Sequence, residues 1–310
     1  MLKRAFQKAA KIVRRWIWRI AYPRQYWHMC RYDSRFGLSW TDGRADVMWR
    51  RRVVARTVRP DDVVRNSNSI AIVASGPSLL QTPAAAWTGR DVACVNGSIL
   101  WASERGVRPR LYVVSDPGFA KRRLDLIKLA TRQADLVCVT FRCLFELQRQ
   151  QPNLFATSRL LVVDNVNHPY GKALYQRHQL AGNPQVLLDE VRTYEDRLIG
   201  VSTDLGMGIF AGGTVVLAAA QIGIALGYRD IQFLGLDMKT TGSQHRFYQE
   251  RSPEPSFIDR NFHDLILPSF DMLRRYCDAH GVTLSNWSND SAIPTSLVPA
   301  APSDVGLAAE

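Results

Sequence analysis

The stretch from Val215 to Leu226, "VVLAAAQIGIAL", carries no charge, and its one strongly polar side chain is Gln221. A helix that is apolar all round has no face to offer water and belongs in the middle of a protein. It opens on Gly212, Gly213 and Thr214 and is followed by the strand-like "DIQFLGLDM", which ends in an acid and a methionine. The chain must therefore build layers around this rod.

The rest of the sequence supplies those layers. Beyond residue 68, apolar runs rich in β-branched residues occur at "SIAIVAS", "DVACVN", "RLYVVSD", "DLVCVTF", "RLLVVDN", "DIQFLGLD" and "GVTLSN". Stretches with helical spacing lie between most of them, such as "SILWASERG" and "SFDMLRRYCDAHG". Doubly buried strands alternating with helices predict an α/β fold with a Rossmann-like, mostly parallel sheet flanked by helices. A chain of 310 residues can hold one large domain or two small ones. The expected division is a basic segment over 1–60, a ligand-binding α/β domain over 68–290 and a disordered tail over 291–310. Residues 165–208, polar and weakly patterned, are expected as an insertion or lid.

Charge separates the first of these segments from the rest. Residues 1–60 hold 16 of the 40 Lys/Arg but only 3 of the 28 Asp/Glu, so the net +12 belongs there and the remainder is close to neutral. Within it, Leu2, Phe6, Ala9, Ile12, Val13, Trp16, Ile17 and Ile20 recur at spacings of three and four, with Lys and Arg between them. That is an amphipathic helix with a cationic face, the composition of a helix lying on an anionic membrane surface. A basic helix packed on its own domain and an arm touching nucleic acid are the other readings. Outside this segment the chain offers no basic surface and no nucleic-acid reader motif, so no nucleic-acid partner is expected. No secretory signal and no membrane-spanning run is seen. Five scattered cysteines suit a reducing compartment. The expectation is a cytoplasmic protein, peripheral on the membrane through residues 1–22.

In parallel sheets, ligands bind at the carboxyl ends of the strands. Four such ends carry small, polar or acidic residues: Ser75, Gly76, Pro77 and Ser78; Asn96, Gly97 and Ser98; Ser115 and Asp116; and Gly235 to Met238. Gly76 permits close approach of a ligand to backbone N–H groups, and Asn96 offers both a donor and an acceptor. Asp116 is held at its strand tip by Pro117. The helix beginning at Thr214 presents free N–H groups and positive charge at its first turn, an anion site fronted by Gly212 and Gly213. A plain N-cap is the alternative. The nucleotide motifs GxxxxGK[ST] and GxGxxG are absent, so ATP hydrolysis and nicotinamide chemistry have no support. No metal or cofactor is expected.

Taken in order, "VASGPSL", "CVNGS", "VVSDP", "GGTVVLAAAQIGIALGYRDIQFLGLDM" and "GSQHRFYQE" resemble the lipopolysaccharide-core Kdo transferases of the RfaZ/WaaZ type. They resemble, more distantly, the bacterial CMP-sialic acid sialyltransferases of the Cst-II kind and the MptE-like domain. The resemblance covers roughly residues 70 to 290 and implies a GT-A-like sialyltransferase variant of the fold. It implies an inverting transfer of a 2-keto acid sugar, Kdo, from a CMP donor to lipopolysaccharide core, a lipid-linked acceptor. It places Gly76, Pro77, Ser78 and Asn96 on the nucleotide, with Ser75 where the sialyltransferases carry Asn. Asp116 matches another contact. Lys239 and His245, with Tyr248 beyond, fall where tyrosines assist departure of the leaving group. His263 falls near the catalytic base, with Asp237 as the second candidate. The alternatives are an MptE-like pyrophosphokinase, with magnesium on acids such as Asp116 and Asp237, and a non-catalytic nucleotide-binding membrane protein.

Overall fold

The computed structural model describes residues 12–13, 16–239, 246–248 and 258–302. In chain order the described strands are β1 (Phe36–Thr41), β2 (Arg44–Trp49), β3 (Arg52–Arg56), β4 (Ser69–Val73), β5 (Asp91–Val95), β6 (Leu111–Val114), β7 (Leu136–Thr140), β8 (Leu160–Val163), β9 (Val186–Tyr194), β10 (Arg197–Ser202), β11 (Asp230–Leu234) and β12 (Thr283–Asn286). Seven of them form one sheet in the order β12-β11-β4-β5-β6-β7-β8, with every neighbouring pair parallel. All seven are the apolar runs read from the sequence. Their residues alternate between two cores: Ile70, Ile72, Ala93 and Val95 face one way, Ala71, Val73, Val92 and Cys94 the other. Burial on both faces is why these strands read as unbroken apolar runs.

One face is covered by helices α1 (Ile99–Glu104), α2 (Pro117–Arg122), α3 (Leu124–Gln133) and α4 (Phe141–Gln150). A short helix, α5 (Arg177–Ala181), precedes the β9–β10 hairpin. The apolar rod is α6 (Val215–Ala225), lying on the other face across β4, β5 and β6. Ala218, Ala219 and Ala220 are fully buried there, and small side chains let the helix approach the strands closely. A short turn α7 (Ile258–Asn261), a π-helical turn over Phe262–Ile266 and α8 (Leu267–His280) complete this face.

Gln221 explains itself once α6 is placed. Its Oε1 accepts from Ser202 N and Phe210 N, both at 3.0 Å, and its Nε2 donates to Phe210 O at 2.8 Å and Leu217 O at 3.0 Å. One buried amide thus ties the end of β10 and the segment before Gly212 to the central helix.

Two sequence expectations are corrected, and a third gains detail. Residues 36–56, assigned to the basic appendage, form the antiparallel meander β1-β2-β3. Its Phe36, Val47, Trp49 and Ala55 are buried with the α1–α4 face, so the unit does not divide at residue 60. The segment 165–208, expected as an insertion or lid, has secondary structure of its own. It carries α5 and the β9–β10 hairpin, which packs on α8. Residues 291–302, the described part of the expected tail, are ordered, because Ile293 and Val298 are buried and Asn286 N donates to Pro299 O at 2.8 Å.

All five cysteines are unpaired, and burial pushes the Cys94, Cys138, Cys143 and Cys277 thiols up to about 12. Among the described residues no helix is long and apolar enough to cross a membrane.

Replacing Gln221 by Leu keeps the bulk but leaves Ser202 N and Phe210 N and O buried and unpaired. Each such group costs about 1–3 kcal/mol. Urea unfolding of Gln221→Leu is expected to show a loss of at least about 3 kcal/mol with an unchanged slope. A loss under about 1 kcal/mol contradicts the staple.

Candidate active site

The sheet changes direction between β4 and β11: from β4 the chain steps outward through β5 to β8, then returns to β11 on the other side. A crevice at such a switch point is where ligands bind in sheets of this kind. Here its floor is closely knit. Gly76 N donates to Gly235 O at 3.0 Å, and Ser78 N donates to Asp237 Oδ2 at 2.9 Å. The hydroxyls of Ser78 and Ser288 both donate to Asp237 Oδ1. A Cβ on Gly76 would stand 2.6 Å from Gly235 O, so close approach of the two strand tips requires glycine there. Pro77 opens the short helix that follows.

At the next tip, Asn96 adopts a left-handed backbone with φ +48, held by a hydrogen bond of 2.8 Å from Tyr112 Oη to its carbonyl. Its Oδ1 is buried without a partner among the described residues. Ser98 Oγ closes the turn by accepting from Val95 N at 2.8 Å. The ring of Tyr248 lies against Gly97, Phe247 N donates to Ser75 O at 3.0 Å, and Arg246 reaches Tyr248 Oη at 2.8 Å. Tyr248 is therefore brought to the Ser75–Asn96 edge. Asp116 caps α2 through Gly118 N at 2.7 Å.

Gly212 and Gly213, at φ +56 and +78, form the turn that ends in Thr214 N to Ala211 O at 3.3 Å. Both central residues of this turn demand a positive φ, which glycine adopts freely. Thr214 then caps α6 through Val216 N at 3.4 Å. The two glycines line a cavity of about 250 Å³, together with Asn165, His168, Arg197 and Ser269. Ser269 is 2 % exposed, and its Oγ has no partner among the described residues.

A second cavity, of about 440 Å³, lies over the ends of β6, β7 and β8 and shares Asn165, His168, Glu195, Arg197 and Ala211 with the first. Ser115, Arg31, Arg142 and Asp164 complete its working surface. Arg31 arrives because the short helix Arg24–Arg31 is pinned to the loop after β8: His28 Nε2 bonds Pro169 O at 2.6 Å and Leu174 N donates to Gln25 O at 3.0 Å. Burial, with Arg31, His28 and Arg197 nearby, pushes His168 down to about 3, and burial raises Asp164 to about 7.

The other sequence candidates stand elsewhere. Asp237 is 7 % exposed and engaged by the two serines. His263 is exposed on the π-helical turn, outside both cavity walls, while its neighbours Asn261 and Leu265 face the smaller one. Lys239 pairs with Asp290. His245 lies outside the described residues. Sequence reading passed over Arg31, Arg142, Asp164, His168 and Arg197. Of these only Asp164 left a local signal, an acid straight after the apolar run of β8.

The fold puts this polar edge at a topological switch point, and the chain's family makes it a glycosyltransferase. The chain belongs to the family described as 3-deoxy-D-manno-octulosonic acid transferase WaaZ, whose model matches residues 60–303. It is 27 % identical over 243 residues to a "Probable 3-deoxy-manno-octulosonic acid transferase" of Escherichia coli (strain K12), covering 75 % of this chain and 82 % of the relative. A protein of the same description from Salmonella typhimurium is 26 % identical over 239 residues, covering 76 % and 87 %. Among solved structures, the MAf glycosyltransferase of Magnetospirillum magneticum AMB-1 matches with a TM-score of 0.45 at 15 % identity, over 75 % of this chain but 33 % of that one. The sialyltransferase CST-II, solved with trisaccharide acceptor and CMP, matches with a TM-score of 0.42 at 12 % identity, over 76 % and 86 %.

A Gly76→Ala side chain would collide with the Asp237 carboxylate and Gly235 O. Forcing the two strand tips apart is expected to cost about 1–3 kcal/mol in denaturant unfolding. An unchanged midpoint contradicts the close approach.

Proposed function

We propose that this chain transfers Kdo from CMP-Kdo to the inner core of lipopolysaccharide, with inversion at the anomeric carbon and without a catalytic metal. Family membership supports the sugar. The donor assignment rests on Asn96, whose buried Oδ1 needs an N–H donor and finds none among the described residues. The exocyclic amine of cytosine is such a donor, and uracil presents an oxygen at that place. A buried acceptor left unmatched costs about 1–3 kcal/mol, enough to discriminate between the two bases. The α6 N-terminus and the arginines of the adjoining cavities suit a donor carrying phosphate and carboxylate. In this reading Tyr248 Oη, beside the Asn96 tip, donates to the departing phosphate.

Attachment to an anionic membrane surface is part of the same proposal. In the helix over 16–21, Trp16, Ile17 and Ile20 are 60 %, 57 % and 84 % exposed. An apolar side left open beside arginines fits the interface between headgroups and acyl chains.

Two measurements test this reading. CMP at about a hundred times its Kd should stabilise the protein by about 2.7 kcal/mol in thermal unfolding, and UMP should give clearly less. Asn96→Ala should remove the difference, whereas equal stabilisation by UMP, or by ATP alone, contradicts the donor. Ile17→Asp with Ile20→Asp should abolish pelleting with vesicles of phosphatidylglycerol and leave neutral vesicles unaffected. Retained pelleting contradicts the attachment.

A further inference from the structure

The transfer proposed above needs a group to take the proton of the acceptor hydroxyl, and the two candidates read from the sequence face elsewhere in the structure. The larger cavity contains another. We propose that Asp164 is this general base.

Its place follows from the fold. Asp164 is the first residue beyond β8, at the carboxyl edge of the sheet, and it lines the cavity that adjoins the α6 turn through a shared wall. Gly208 seals it from behind: at φ +106, a Cβ there would stand 2.6 Å from the Asp164 carbonyl. Oδ1 accepts from Asn165 N at 2.8 Å and Tyr170 N at 3.0 Å, and Oδ2 shares the Tyr170 N–H at 3.0 Å. Three of the four lone-pair positions of the carboxylate are thereby used, and Oδ2 keeps one for a substrate proton. The side chain is fixed entirely by backbone, so it needs no reorganisation when a hydroxyl arrives.

The other titratable groups of the cavities are worse placed. Glu195 is held by Arg197 and Arg260. Tyr194 Oη donates to Asn261 at 2.7 Å. His28 and His168 are held neutral, both lowered chiefly by burial, and a group that binds its proton so weakly makes a poor base. Asp164 makes no ion pair among the described residues, and burial raises its carboxyl to about 7, where base catalysis at neutral pH is most effective.

The charges facing Asp164 come from four elements. Arg31, His28 and Tyr32 lie on or beside the short helix Arg24–Arg31, and Arg142 lies on α4. His168 and Lys172 follow in the loop after β8, and Glu195 and Arg197 come from the hairpin turn. The net positive wall suits an acidic sugar on the acceptor side.

In the step itself, Oδ2 takes the hydroxyl proton as the acceptor oxygen bonds to the anomeric carbon of the donor. The bond from that carbon to the phosphate oxygen breaks, and its electron pair leaves with CMP. The protonated Asp164 then returns its proton to water.

The inference rests on the transferase reading, and the experiment separates the two. Full-length wild type, Asp164→Asn and Asp164→Glu are assayed for CMP release with CMP-Kdo and deacylated lipopolysaccharide core, and for stabilisation by CMP. Asn keeps an oxygen for Asn165 N and Tyr170 N. Asp164→Asn is expected to lose about 10²- to 10⁴-fold in kcat with CMP stabilisation unchanged, and Asp164→Glu to regain part of the rate. Because the base works ionised, the wild-type rate should fall as pH drops through about 7, and Asp164→Asn should lose this limb. A wild type that is active and binds CMP, beside an Asp164→Asn within about tenfold of it or with the same acid limb, overturns the assignment alone. Loss of CMP stabilisation together with activity in Asp164→Asn makes the residue structural and also overturns it. A wild type that neither binds CMP nor releases it overturns the transferase reading and, with it, the base.

Discussion

The amide of Gln221 holds the working edge of this protein in place. A helix that is apolar on every side packs well but in no particular rotation, because one alanine face is much like another. Four hydrogen bonds from a single buried side chain remove that freedom. They set α6 against the end of β10 and against Phe210; Ala211, next in the chain, lines both cavities, and Gly212 and Gly213 line the smaller one. Buried polar networks of this kind are costly when broken and specific when complete.

The carboxyl edge divides into two parts with different physics. At β4 and β11, backbone approach at Gly76 and Gly235 and the Ser78–Asp237–Ser288 cluster make a rigid floor with little free polar capacity. Towards β6, β7 and β8 the edge opens into connected cavities lined by arginine, histidine and a single buried carboxylate. Asn96, with an unmatched oxygen, stands at the tip of β5 between them.

The parallel sheet was legible because strands buried on both faces cannot hide among polar residues. The same reasoning missed β1 to β3. Ala45, Val47 and Trp49 alternate with Asp46 and Met48 in period two, but the surrounding arginines drew attention to charge instead of alternation. The polar strand ends were legible as turn residues, but Gly212 and Gly213 line a cavity whose walls include neither Gly76 nor Asn96. The partners of those strand ends were not legible. Asp237 reads as an acid at a strand tip, and only the folded chain brings Ser78 and Ser288 to it. The cavity wall was beyond reach for the same reason: Arg31, Arg142, Asp164 and Arg197 come from four separate segments and share no spacing.

The short helix Arg24–Arg31 joins two features that the sequence kept apart. One of its ends supplies His28 and Arg31 to the cavity, while eight residues upstream of His28 the side chain of Ile20 is open to solvent. Eight residues of chain span at most about 30 Å. A surface that took up that apolar side would therefore sit a fixed, short reach from the cavity mouth, and the protein would carry its own ruler for the distance between them.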